Sequence, residues 1–389
     1  MNTVQIIRST ASNLWKKSGQ KLNRLCRRTP VVETEIKPAV DEFVHEVKTA
    51  EKIAQKVSKP TDIDIINFHQ YMLAKKLDLK CTPEEIKTLL SFEGKEFHSK
   101  SFEFFLKKMK IPQKVQPQLV YSAQNSEFTM VYDFLGNTVH INTNYTFKSK
   151  EEFLGYLRHE LQHYQQNIKI FRHELYGKDM VDFAVKKSVE FEIKNIDYAA
   201  KNWTMEQIKE FGFNEEGIKT YKYLKDLIKN NKLEEYEQYL KSATKELTEE
   251  YRPYYEDFRQ KVLEEYGVLK ANTKEGDRAS RYFDETISSN TYVEQDGKIN
   301  TMKYMGDIRE TEALLAQDIM RLNIQGFNQE KNCYLKYLKD CIKKLQEPEG
   351  ECKEFVERLK DDAKKAEQEL EHISKENFDA KKIARYYFD

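Results

Sequence analysis

The sequence predicts an α+β fold, predominantly helical, in which one small antiparallel sheet packs on a long helix. Two observations carry this. Only 13 Gly and 8 Pro occur in 389 residues, and 33% of side chains are charged, a balance that favours long amphipathic helices with few tight turns. Strand signals gather in one place. Leu119 to Ala123, Phe128 to Phe134 and Thr138 to Thr143 are rich in Val, Tyr, Phe and Thr, and the last two flank Leu135-Gly136-Asn137, a hairpin turn.

Taken in order, residues 1–60 form a basic N-terminal segment and linker. Residues 1–30 hold seven Lys and Arg and no acid, with apolar residues near helical spacing. That is a basic helix or tail, whose functional reading is a weak membrane-surface contact. Residues 61–112 are a small helical region: a helix from Ile63 to Leu77, a second begun by Thr82-Pro83-Glu84-Glu85, and a third from Ser101 to Lys110. Residues 113–325 are the main domain. The sheet comes first, then a helix capped by Ser149 with Glu151 and Glu152 in its first turn. A helical insertion spans about 170–290, ending in a polar stretch, 270–289, that reads as irregular. Asn290 to Tyr304 reads as a second hairpin around Asp296-Gly297, and a helix follows from Asp307 to Leu322. Residues 326–389 are a C-terminal helical hairpin turning at Pro348-Glu349-Gly350.

Composition excludes several classes of function. Lys+Arg and Asp+Glu both number 65, which argues against a dedicated nucleic-acid binder. The five cysteines are scattered without a C-x-x-C pair, the pattern of reduced thiols. No apolar run approaches the roughly 18 residues a transmembrane segment needs, and no secretory hydrophobic region is visible. The expected location is cytoplasmic.

The chemistry concentrates in His159-Glu160-Leu161-Gln162-His163, which fits H-E-x-x-H. Imidazoles at i and i+4 lie about 40° apart around a helix, near enough to share one ion. The Glu after the first His can take a proton from a metal-bound water. His45-Glu46 and His173-Glu174 begin the same way and lack the second His. On the helical wheel Phe153, Leu157, Leu161, Tyr164 and Ile168 make an apolar back, and the His-Glu-His set makes the front.

Such a site needs a third protein ligand. The best candidates lie in Arg309-Glu310-Thr311-Glu312-Ala313-Leu314-Leu315-Ala316, where the small Ala313 and Ala316 allow close packing on the metal helix. One of Glu310 and Glu312 could bind the metal while the other orients a ligand histidine. Glu190 and Glu192 are the fallback ligands.

These residues resemble the zincin metallopeptidases of the glutamate-ligand (gluzincin) branch, in which a sheet precedes an H-E-x-x-H helix and a later helix supplies E-x-x-A. His159 to His163 matches the first motif and Glu310-Thr311-Glu312-Ala313 the second. The run ending at Gln166 is also similar to uncharacterised bacterial and phage zincin-like proteins that pair H-E-L-x-H-x-x-Q with E-x-E-A. The resemblance implies Zn2+ held by His159, His163 and Glu310, with Glu160 as general base acting on a peptide or protein substrate. Leu314 stands where some members carry Asp, and the two motifs are more widely separated than is usual. A Tyr steadying the oxyanion is common in such sites, and Tyr304 and Tyr292 are the candidates by proximity. The alternative is a non-catalytic helical interaction protein with a degenerate or structural core of this type.

Overall fold

The computed structural model describes residues 62–122, 129–288, 304, 307–325, 334 and 356–361. The basic segment 1–60 lies outside the described residues. So do the hairpin expected at 290–304, apart from Tyr304, and most of the C-terminal hairpin. The chain divides into two bodies, one containing residues 181–260 and the other the described residues on either side of that stretch.

The larger body begins with α1 (Asp62–Leu77), α2 (Pro83–Leu90) and α3 (Gly94–Lys108). Thr82 starts α2 as expected. Its hydroxyl accepts the N–H of Glu85, and the Glu85 carboxylate accepts the N–H of Thr82. Helix α3 starts at Gly94, earlier than the expected Ser101. Phe97, Ser101, Phe102 and Phe105 form one buried face that continues back past Ser101, whose hydroxyl bonds the Phe97 carbonyl instead of capping.

The three strands are β1 (Gln118–Ser122), β2 (Met130–Asp133) and β3 (Thr138–Asn142), in the order β1-β3-β2. The sheet is mixed, which corrects the expected all-antiparallel arrangement: β2 and β3 are antiparallel, but β1 and β3 are parallel. The reason is burial. All five residues of β3 are buried, so β3 takes the central place. The tight turn before it reverses β2, so β3 returns in the direction of β1. In that turn Asn137 adopts a left-handed φ of 49°, and the Asp133 carboxylate accepts the N–H groups of Leu135 and Gly136.

Helix α4 (Lys150–Arg172) is the spine of this body. The Ser149 hydroxyl caps it by accepting the N–H of Glu152. It touches β2 and two later helices, α9 (Lys274–Ser288) and α10 (Ile308–Gln325). Helix α10 comes so close that a Cβ at Gly155 would lie 2.7 Å from Arg321 Nε. Ala313 and Ala316 are fully buried, as their size suggested. Leu315 and Ile319 join a core with Ile66, Leu73 and Ala74 of α1.

Helix α9 overturns the expectation that 270–289 is irregular. Gly276, Ala279, Tyr282, Phe283 and Thr286 form one buried stripe at helical spacing. Gly276 is required where the helix meets its own approach, since a Cβ there would fall 2.1 Å from the Lys270 carbonyl.

Helices α5 (Tyr176–Asn202), α6 (Met205–Glu210), α7 (Glu215–Lys229) and α8 (Leu233–Tyr266) agree with the helical reading of this stretch. Within residues 181–260 the core is Ile196, Ala199, Ile208, Tyr221, Leu224, Leu227 and Tyr236. The Tyr236 hydroxyl bonds Asp197 at 2.8 Å, and Thr204 and Asn214 cap α6 and α7. No helix among the described residues is long and apolar enough to cross a membrane.

Candidate metal centre

His159 and His163 project from one face of α4 toward Glu310 in the first turn of α10. Their Nε2 atoms are 3.0 Å apart, and each lies 3.4 Å from Glu310 Oε2. Asp307 sets the start of α10, its carboxylate accepting the Arg309 N–H at 2.7 Å, and so places Glu310.

The triangle fits a metal ion. Donors about 2.0–2.1 Å from a tetrahedral ion lie roughly 3.3 Å from each other. Two imidazoles and a carboxylate suit a first-row transition metal better than Mg2+ or Ca2+. Glu310 Oε2 is buried without a hydrogen-bond donor, as a ligand oxygen would be. Burial would raise the Glu310 carboxyl, but the two imidazoles hold it well below the usual carboxylate range. Burial would likewise lower the His163 pKa, and the Glu310 carboxylate overcomes this and lifts it to about 9. Positive charge is therefore favoured at this spot, where a proton and a metal ion would compete.

Glu160 follows His159 and points to the sheet. Its Oε2 accepts the Tyr132 N–H of β2 at 2.7 Å. Burial pushes its carboxyl above the ordinary value, against the pull of both imidazoles and of that N–H. Tyr304 is brought to the site. Its hydroxyl is hydrogen-bonded to Glu310 and lies in the field of Glu160, and burial with both charges keeps it a protonated donor. Tyr292 lies outside the described residues.

Glu312 does not reach the histidines. Residues two apart on a helix point roughly 200° away from each other, so only one of Glu310 and Glu312 can face them. Glu312 is buried in a second polar cluster. It pairs with Arg278, accepts the Tyr282 hydroxyl at 2.6 Å, and accepts the amides of Gln162 and Gln166 at 3.3 and 3.2 Å. Burial would raise its pKa, and Arg278 with these donors keeps it ionised.

Gln166 links the two clusters. Its Nε2 donates to Glu312 and to the Arg309 carbonyl, both acceptors, so its Oε1 must face His163 Nδ1, at 2.9 Å. His163 Nδ1 therefore carries a proton, which leaves Nε2 for a ligand bond. Glu312 is thus linked to His163 through Gln166. Glu190 and Glu192 bind elsewhere: Glu190 pairs with Lys187 and Glu192 accepts the Tyr251 hydroxyl.

The motifs did not point to Arg158, Gln162, Arg278 or Tyr282, and Gln166 entered only as the last residue of H-E-L-x-H-x-x-Q. The signal for three of them is present in α4. Arg158, Gln162 and Gln166 recur every four residues, a polar stripe between about 260° and 340° on the wheel. All three are buried. Comparisons with protein-family models, curated proteins and solved structures found no match for this chain.

Proposed function

We propose that this chain is a zinc-dependent peptidase, with His159, His163 and Glu310 as the ligands. The observation that carries the reading is the convergence of these three donors within 3.4 Å, with Glu160 beside them on the same helix. Bound zinc would supply a Lewis acid and an acidified water. Glu160 would take a proton at Oε1, the oxygen opposite the one held by Tyr132, and return it to the leaving amine nitrogen. Its burial and raised pKa suit a base working near neutrality. Gln166 would hold the His163 ring, and Tyr304 would hold Glu310. Strand β2 is an outer strand of the sheet and touches α4, so an extended peptide could lie along it.

The test is to measure bound zinc by elemental analysis, then hydrolysis of a fluorogenic peptide library by wild type and Glu160→Gln. Stoichiometric zinc, with cleavage lost in the variant and zinc retained, supports the reading. Protein purified without chelators that holds no zinc and takes up none refutes it.

A second reading, a non-catalytic interaction protein that keeps the metal for structure, draws on residues 181–260. Phe191, Tyr198 and Leu233 there are 60%, 59% and 54% exposed. It predicts zinc without cleavage of any peptide in the library.

A further inference from the structure

A cavity of about 590 Å³ opens in the larger body, lined by Arg158, Gln162 and Glu312 but by none of His159, Glu160, His163 or Glu310. Its charges do not balance. Of its carboxylates, Glu312 is paired with Arg278, and Glu275 with Lys76 and Lys169. Lys108 is satisfied by Glu85. Four lining cations remain without a carboxylate partner among the described residues: Lys80, Lys110, Arg158 and Arg172. Arg158 is fully buried and bonds only neutral acceptors, Gln162 Oε1 and the Leu77 carbonyl. Arg172 bonds only the carbonyls of Tyr266 and Gly267. Against these four stands Asp78, which accepts the Lys80 N–H and the Asn323 amide.

The backbone adds a second observation. Lys80 and Lys110 have φ of 49° and 53°, the left-handed conformation in which glycine is the usual residue after a helix. Both of these left-handed positions line the same cavity. A guanidinium buried without a direct ion pair is costly, and Arg158 feels Glu312 and Asp78 only from beyond contact distance.

We propose that this cavity binds a small organic phosphate. The surplus calls for more than one negative charge on the ligand, and a phosphate group concentrates nearly two in a small volume. Guanidinium and ammonium donors are the groups that hold such oxygens. Leu73, Leu77, Met109 and Ile168 line the same space and would cover an organic body. The zero net charge of the chain makes a small ligand a better fit than a nucleic acid. The proposal does not rest on the peptidase reading.

The experiment is calorimetric titration of the full chain with inorganic pyrophosphate at constant ionic strength, with citrate as the carboxylate comparator. Three proteins are compared: wild type, the double variant Lys80→Gln/Lys110→Gln, and His163→Ala. Both lysines are exposed, so the double variant should keep its fold, and its thermal melt checks this. Saturable pyrophosphate binding that weakens by about tenfold or more in the double variant, persists in His163→Ala and exceeds citrate binding is the expected result. No saturable binding, an unchanged affinity in the double variant, or loss in His163→Ala (which would put the anion on the metal) overturns the proposal. Citrate binding as tight as pyrophosphate overturns the assignment to phosphate.

Discussion

Replacing Gln166 with Leu tests whether the glutamine steadies the proposed metal centre without itself being a ligand. The change keeps much of the side-chain volume and removes three hydrogen bonds, to His163 Nδ1 at 2.9 Å, the Arg309 carbonyl at 3.0 Å and Glu312 at 3.2 Å. Glu312 retains Arg278, Tyr282 and Gln162, so its charge stays compensated. The principal loss is the acceptor that fixes the His163 ring. Removing such an orienting partner costs about 10–100-fold in metal affinity, or roughly 1.4–2.7 kcal/mol. The buried groups left without partners should also cost the metal-free protein about 1–3 kcal/mol of stability. Competition for zinc against a chromophoric chelator measures the first quantity, and urea denaturation of chelator-treated protein the second. Glu310→Gln, which alters a proposed ligand directly, should lose more affinity than Gln166→Leu. Wild-type zinc affinity in Gln166→Leu would refute the role assigned to this network.

Three further outcomes are expected. Glu160→Gln should keep zinc and lower peptide hydrolysis by about 10²–10⁴-fold, the usual contribution of a general base; equal rates in the two proteins would remove Glu160 from the chemistry. Arg278→Met should destabilise the fold by about 3–5 kcal/mol, because it leaves the buried Glu312 without its cation; adding Glu312→Gln should restore part of that loss in thermal melts. Glu275 gives a pH dependence. Burial alone would raise its carboxyl, but Lys169 and Lys76 bring it down to about 2. A folded pKa below the unfolded one stabilises above about pH 4.5 and ceases to do so as pH falls toward 2. The Glu275 side chain is 40% exposed, so solvent screening reduces the effect to on the order of 1 kcal/mol. The stability difference between wild type and Glu275→Gln should therefore close between pH 4.5 and 2; a constant difference across that range would show that the ion pairs contribute nothing.

What could be read from the chain was what it encodes within a few residues. Thr82 and Ser149 announce their helices because each cap bonds an N–H three residues on. The turn at Leu135 to Asn137 is local for the same reason. The His159-Glu160-His163 set needs only one helix to come together, so spacing alone specified it. The parallel pairing of β1 with β3 was not legible, because it follows from which strand is most buried.

The polar network was hidden by a different effect. Gln162, Gln166 and Arg158 resemble solvated side chains until Glu312 and Leu77 close over them, and those partners lie far away in sequence. The buried stripe of α9 was present in the residues but diluted by its charged face, and so it passed for loop. The choice between Glu310 and Glu312 belongs wholly to tertiary structure. Local sequence places both on α10, on nearly opposite sides. The packing of Leu315 and Ile319 into the core with α1, and of Gln317 and Arg321 against Gly155 of α4, fixes how that helix is turned. That rotation gives Glu310 to the histidines and Glu312 to the cluster behind them.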